Sequence, residues 1–383
     1  WIYDLPDREK VRVADSAWAD QSMSIMEDRQ FRYPASTEPE RDIWLSEGSD
    51  ELWFMRQSRD RKRADLMVAD AETGEVLRTV VEERFNTYFH TERPELLPNG
   101  DVLWMSERDG WQHIYRYGPD GTLKNRLTEG AWHVDGIEAV NEEAGVVYFT
   151  ANGREQDEDP YYDHLYRVRL DGSDLRLLNP GDADHSVSMS ESGRFFVDNH
   201  SRVDTVPSSV LRTARGDVVA ELQTADLKAL EEAGWDAPEP FSVKAADGVT
   251  DLYGVMYKPF DFDSTKQYPV VTYVYPGPQT EAVPKSFTTG GDEAALAQFG
   301  FIVVVMGHRG GQPDRSRWHL TGPCSGRRVA IGRHVGTATG GGRRRSARQG
   351  PSLRCHVARQ PSPPTQVVDQ VEHPARALAT VAE

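Results

Sequence analysis

Between residues 40 and 220 the chain repeats a short apolar strand. Glu51-Leu-Trp-Phe-Met55, Asp101-Val-Leu-Trp-Met105, Gly145-Val-Val-Tyr-Phe149 and Gly193-Arg-Phe-Phe-Val197 begin 44 to 50 residues apart. A second strand type follows each: Asp65-Leu-Met-Val68, His113-Ile-Tyr-Arg-Tyr117, His164-Leu-Tyr-Arg-Val168 and Ser209-Val-Leu-Arg212. Three of these lead into Thr73-Gly74, Asp120-Gly121 and Asp171-Gly172, the residues that supply the positive φ of tight hairpins. A further strand leaves the turn, as in Glu75-Val-Leu-Arg-Thr-Val80. Antiparallel strands recurring every ~45 residues imply propeller blades, small sheets that bury their faces only by stacking on neighbours. Residues 1–235 at that period amount to about five blades. An open β-sandwich is the other all-β solution, and the regular spacing disfavours it.

The pattern changes near residue 236. Leu222, Leu227 and Leu230, with acids between them, predict a short helix over 222–233 that ends at Gly234. Phe241 to Pro259 reads as a hairpin turning at Asp247-Gly248. Tyr268-Pro-Val-Val-Thr-Tyr-Val-Tyr275 reads as a buried strand. Asp292 to Phe299 is helix-sized and stops at Gly300, and Phe301-Ile-Val-Val-Val-Met306 is a second apolar strand. Strand, helix and strand make a βαβ unit, the building block of parallel sheets.

Charge divides the chain again. Residues 307–383 hold 13 arginines, no lysine and four acids, a net +9, which leaves −26 on residues 1–306. An acidic body disfavours nucleic acid and anionic membranes as partners, and no apolar run is long enough to span a bilayer. Cys324 and Cys355 both fall in the basic stretch and read as unpaired thiols. No metal or cofactor site is expected. Gly340 to Arg348 and Pro361 to Pro364 cannot continue a helix or a parallel strand, so residues 307–383 are expected to lack a fixed fold. Arginine without lysine, amid Gly, Pro and Ala, is what a GC-rich gene yields when read in a shifted frame. A natural basic arm for nucleic acid is the alternative, but it has no interleaved aromatics. A start at Trp1 without a leader reads as a piece of a longer protein, so the compartment stays open.

Tyr275-Pro-Gly-Pro-Gln-Thr-Glu-Ala-Val-Pro-Lys-Ser-Phe287 resembles the start of the peptidase domain in the dipeptidyl peptidase IV branch of the prolyl oligopeptidase family. Ser106-Glu-Arg-Asp-Gly-Trp-Gln-His-Ile-Tyr115, Ser58 to Leu66 and His164 to Gly172 resemble the propeller of the same family. The resemblance covers roughly residues 1–320. It implies a partial β-propeller over 1–235, the first part of an α/β-hydrolase domain over 236–306, and a non-family basic tail over 307–383. It also implies a serine peptidase that releases N-terminal dipeptides from peptide substrates.

Such chemistry requires a serine, an imidazole to take its proton and a carboxylate to hold the imidazole. The serine sits on a Gly-x-Ser-x-Gly elbow, and the sequence contains no such pattern. Cys324-Ser325-Gly326 has no strand before it. The resemblance carries one catalytic position over, Tyr275, which matches the family's oxyanion tyrosine. A neutral phenol there donates to a developing oxyanion. The family also uses a propeller Glu pair to hold the substrate's amino terminus. Glu82-Glu83 stands in a different context and reads as a solvated loop. Glu107, Arg108 and Asp109 read as a loop tying neighbouring strands together. The sequence thus predicts an inactive relative of the family, with a non-catalytic peptide-binding propeller as the alternative. Strands Val270–Tyr275 and Phe301–Met306, short of partners, are expected to face solvent or find wrong partners.

Overall fold

The computed structural model describes residues 2–3, 10–11, 21–25, 50–86, 88–190, 192–273 and 282–308. Strands β1 (Ile2–Tyr3) and β2 (Lys10–Val11) form a short antiparallel ladder. Four four-stranded antiparallel meanders follow. Sheet one is β3 (Gln21–Ile25), β4 (Glu51–Ser58), β5 (Arg63–Asp70) and β6 (Val76–Arg84). Sheet two is β7 (Glu95–Leu96), β8 (Val102–Ser106), β9 (His113–Tyr117) and β10 (Leu123–Arg126). Sheet three is β11 (His133–Asn141), β12 (Val146–Asn152), β13 (His164–Arg169) and β14 (Arg176–Leu177). Sheet four is β15 (Asp184–Met189), β16 (Phe195–Arg202), β17 (Thr205–Thr213) and β18 (Val218–Thr224). The repeating strands of the sequence are the second and third strands of each sheet. Four such sheets stand among the described residues, and the figure of about five covers stretches, among them 26–49, that lie outside the description.

The apolar clusters lie between consecutive sheets. Leu66, Val68, Val80 and Val81 of sheet one meet Val102, Trp104, Tyr115 and Tyr117 of sheet two. Leu103 and Ile114 meet Val134, Val147, Phe149 and Tyr166 of sheet three. Val146, Tyr148 and Leu165 meet Phe196 of sheet four. Each interface also seats a turn glycine. A Cβ on Gly121 would lie 3.0 Å from the Val80 carbonyl, one on Gly172 2.9 Å from that of Arg126, and one on Gly216 2.6 Å from that of Leu178. All three have φ of +84° or more, so geometry and space both select glycine. Sheets stacked face to face in chain order, each hairpin packed on the sheet before it, are consistent with a propeller.

A different sheet follows. Helix α1 (Lys228–Glu232) is one short turn with no buried residue. The predicted helix is shorter than expected because Leu222 is still in β18. β19 (Glu239–Lys244) and β20 (Asp251–Tyr257) form the hairpin at Asp247-Gly248, where the Asp247 carboxylate accepts the Val249 and Thr250 amides. β21 (Val270–Tyr273), α2 (Asp292–Ala297) and β22 (Ile302–Met306) complete the order β19-β20-β22-β21, with β21 and β22 parallel. β22 alternates between two cores. Val303 and Val305 join Val255, Tyr257, Ala297 of α2 and Val203 in the turn between β16 and β17 of sheet four. Ile302, Val304 and Met306 join Leu252, Met256 and, partly buried, Phe241, Phe262 and Tyr268. The expectation that Phe301–Met306 faces solvent is therefore overturned, with Val303 1% and Val304 2% exposed, because the strand is central and covered on both faces. β21, apolar in composition but expected to be short of partners, is an edge strand, and Tyr273 is 46% exposed. Among the described residues no helix is long and apolar enough to cross a membrane.

Candidate functional site

Tyr275, the catalytic position drawn from the family resemblance, lies outside the described residues, as do Cys324, Ser325 and the basic stretch beyond His308. The polar groups that the described residues do bring together lie where β12 ends and β13, β15 and the loop 153–163 begin. There sheets three and four meet residues 283–287, in the segment that precedes α2.

Carboxylates crowd this end. The Asn152 amide donates to Asp163 at 2.7 Å, and the Asp163 N–H donates to Asp184 at 3.2 Å. Burial pushes the Asp163 carboxyl up to about 7, helped by the negative charges of Asp135 and Asp184. Burial also raises Asp184, against the pull of the Asp163 N–H, His185 and Lys285. An acid titrating near neutrality in such a place marks a candidate functional site. Beside it, His164 Nε2 bonds Glu158 at 2.8 Å and Nδ1 faces the Asn179 carbonyl at 3.3 Å. Burial opposes the charge on His164, but two acceptors on its two nitrogens outweigh it and raise the imidazole.

Next along is a stack of imidazoles. The His164 and His185 rings lie 4.8 Å apart, and those of His185 and His200 5.3 Å. Asp198, fully buried, takes His185 Nδ1 at 2.7 Å and Asn179 Nδ2 at 3.2 Å on one oxygen, and Arg212 Nε at 2.9 Å on the other. Burial would raise this carboxyl, yet these partners hold it below the usual range. His185–Asp198 has the form of a base and its orienting carboxylate, but no serine bonds the imidazole among the described residues. His185, Asp198 and His200 also offer ligand atoms within 4.8 Å of one another. Arg212 already supplies the positive charge there, so the cluster works as a stitch between sheets three and four. One signal was present in the sequence. His113 and His164 are 51 residues apart, as are Thr128 and Asn179. Thr128 Oγ1 accepts the Ile114 N–H, and Asn179 Oδ1 accepts the Leu165 N–H.

The loop after β8 behaves as its sequence suggests. Arg108 pairs with Glu83 of sheet one and donates to the Tyr117 hydroxyl at 2.5 Å, while Asp109 takes the Tyr115 hydroxyl and Arg126, each at 2.6 Å. Glu82-Glu83 is a correction. The pair lies in β6, and Glu83 is only 4% exposed. It accepts Ser106 Oγ at 2.9 Å, and burial raises it against the opposing effect of Arg108. Strand alternation turns Glu83 inward and leaves Glu82 outside with Arg84.

The Dipeptidyl peptidase IV (DPP IV) N-terminal region matches residues 20–207. The "Probable dipeptidyl-aminopeptidase B" of Aspergillus oryzae is 27% identical over 288 residues, covering 70% of this chain and 31% of its own length. Its namesake in Neosartorya fischeri is 28% identical over 330 residues, covering 81% of this chain and 34% of its own. The chain thus spans about a third of the length of these curated relatives. Among solved structures, a candidate dipeptidyl aminopeptidase IV from Bacteroides ovatus superposes with a TM-score of 0.64 at 24% identity, over 81% of this chain and 44% of that one. Porphyromonas gingivalis dipeptidyl peptidase 4 gives 0.58 at 20%, over 76% and 46%. At these identities the structures speak to the fold alone.

Proposed function

The chain belongs to the dipeptidyl peptidase IV-like family of peptidases, and from that premise we propose a division of its parts. Residues 1–235 are a partial propeller, and residues 236–306 open an α/β-hydrolase domain. The intact enzyme of this type releases dipeptides from peptide N-termini, with Tyr275 at the oxyanion position. The polypeptide as sequenced does not hydrolyse peptides, because it has no Gly-x-Ser-x-Gly elbow and hence no nucleophile to activate. The observation that supports the division is the seam. The stacked antiparallel sheets end at β18, and a mixed sheet with a parallel β21–β22 pair packs against their ends through Val203, Ser201 and Asp159.

A second reading is a peptide-binding module without catalysis. The crowded acids Asp135, Asp163 and Asp184 favour it, since they make the seam attractive to a peptide's ammonium end. One experiment separates the readings. The purified chain is incubated with a fluorophosphonate probe and with Xaa-Pro chromogenic substrates, and in parallel titrated with a non-cleavable Xaa-Pro peptide. Absence of labelling and turnover is expected, and stoichiometric labelling of any serine would overturn it. Saturable peptide binding without turnover would favour the module.

A further inference from the structure

Lys285 reaches across the seam to a carboxylate and a ring of the stacked sheets, beside a ring of the mixed sheet. Its Nζ lies 2.7 Å from Asp159 Oδ2, with the two side chains 11% and 18% exposed. The same nitrogen stands 4.6 Å from the centre of the Tyr161 ring and 5.8 Å from that of Tyr253. The two rings meet edge to face, 5.9 Å apart at 72°. One carboxylate and two roughly perpendicular aromatic walls are the elements of an ammonium cage, in which ring quadrupoles and a single anion share the charge. The cage draws on both bodies: Asp159 and Tyr161 come from the loop before β13, Tyr253 from β20. Sequence spacing does not reveal it, because Lys285 and Asp159 are 126 residues apart.

The neighbours of Lys285 are seated at the same seam in alternation. Val283, 4% exposed, shares a cluster with Val203. The Phe287 N–H donates to Ser201 Oγ at 3.0 Å, and its ring meets Trp235 edge-on at 5.7 Å. Ser286 between them is exposed. Lys285 is the only charged member of this row.

We propose that Asp159, Tyr161 and Tyr253 form a binding site for a primary ammonium, filled in cis by Lys285, and that filling it seats residues 283–287 against sheets three and four. The site goes beyond the peptidase reading and stands whether or not the chain hydrolyses anything. Its ligand class is a primary alkylammonium, which fits between the rings and donates to the carboxylate.

Hydrogen exchange at the Phe287 amide reports the seating directly. In Lys285→Ala the exchange rises about tenfold, the loss expected of one partly desolvated cation with two ring contacts and an ion pair. Ethylammonium chloride returns it toward the parent rate, while sodium chloride at equal ionic strength does not, and the parent chain responds to neither. Unchanged exchange in the variant, or equal responses to the two salts, would overturn the proposal. Should Lys285→Ala fail to fold, Tyr253→Leu and Asp159→Asn keep the lysine and remove one element each. Both are expected to speed Phe287 exchange, and a parent-like rate in both would refute the cage.

Discussion

Phe149 in the stacked sheets and Val304 in the mixed sheet are both shielded from water, 0% and 2% exposed, but by different means. Phe149 is covered by the next repeat. Its cluster takes in Leu103 and Ile114 of sheet two beside the residues of its own sheet, and a turn glycine clips sheets two, three and four to the one before. Val304 is covered within its own sheet and by the segments that return over it. Stability in the stack is a property of interfaces between neighbours. In the mixed sheet it falls from centre to edge. A substitution at a turn should therefore matter greatly in one region and little in the other.

Gly216 and Gly248 test this most strongly. Both sit in hairpin turns with positive φ, +94° and +68°. A Cβ on Gly216 would press on the Leu178 carbonyl of sheet three, while one on Gly248 meets nothing within 4 Å. Gly248→Ala carries only the backbone strain, about 1 kcal/mol. Gly216→Ala adds an overpacked interface, for a total of about 3 kcal/mol. Urea midpoints with a constant slope measure both. Equal losses would show that the turn glycines are not part of the interfaces.

How much was readable follows the same division. The second and third strands of the four stacked sheets, the turn glycines Gly74, Gly121 and Gly172, and the succession β21, α2 and β22 were legible, because local periodicity and turn chemistry determine them. Two kinds of fact were not. Which residues end up at an edge depends on partners elsewhere in the chain, so β21 and β22 were expected alike to lack cover, and only β21 is left at the edge. Glu83 was read as solvated because its burial depends on Arg108 and Ser106, 25 and 23 residues away. The site at the seam was least legible of all. Asp163-His164, Asp198 and Lys285 come from three separate stretches and share no spacing, and only the His113 and His164 repeat hinted at it.

Asp163 sharpens the comparison at the seam, where a carboxyl lies buried among like charges rather than paired. Its raised value means that the folded chain holds a proton which the unfolded chain has released. This stabilisation is complete below the unfolded value of 3.8 and is lost as pH rises to about 7. Asp163→Asn removes the titration. At pH 8 the variant should be more stable than the parent by on the order of 2 kcal/mol, with the gap closing near pH 4. Thermal melts across that range measure it. A gap independent of pH, or one that widens toward acid, would show that Asp163 is ionised in the fold and stabilised by a cation.

The smallest effect belongs to the edge of the mixed sheet. Val304 and Tyr273 lie on adjacent strands with similar backbone pairing, since Thr272 faces Val304 and Tyr273 faces Val305 in the parallel ladder. Val304→Ala removes two methyl groups from a closed core, at about 2 kcal/mol including the cavity left behind. Tyr273 is 46% exposed on a strand with one free side among the described residues, so Tyr273→Ala should cost about 0.5 kcal/mol. The backbone bonds survive both changes, so the contrast isolates the side chains. A Tyr273→Ala loss as large as that of Val304→Ala would mean that the tyrosine is covered in solution. The open side of β21 would then be occupied, and the fall in stability from centre to edge would not hold.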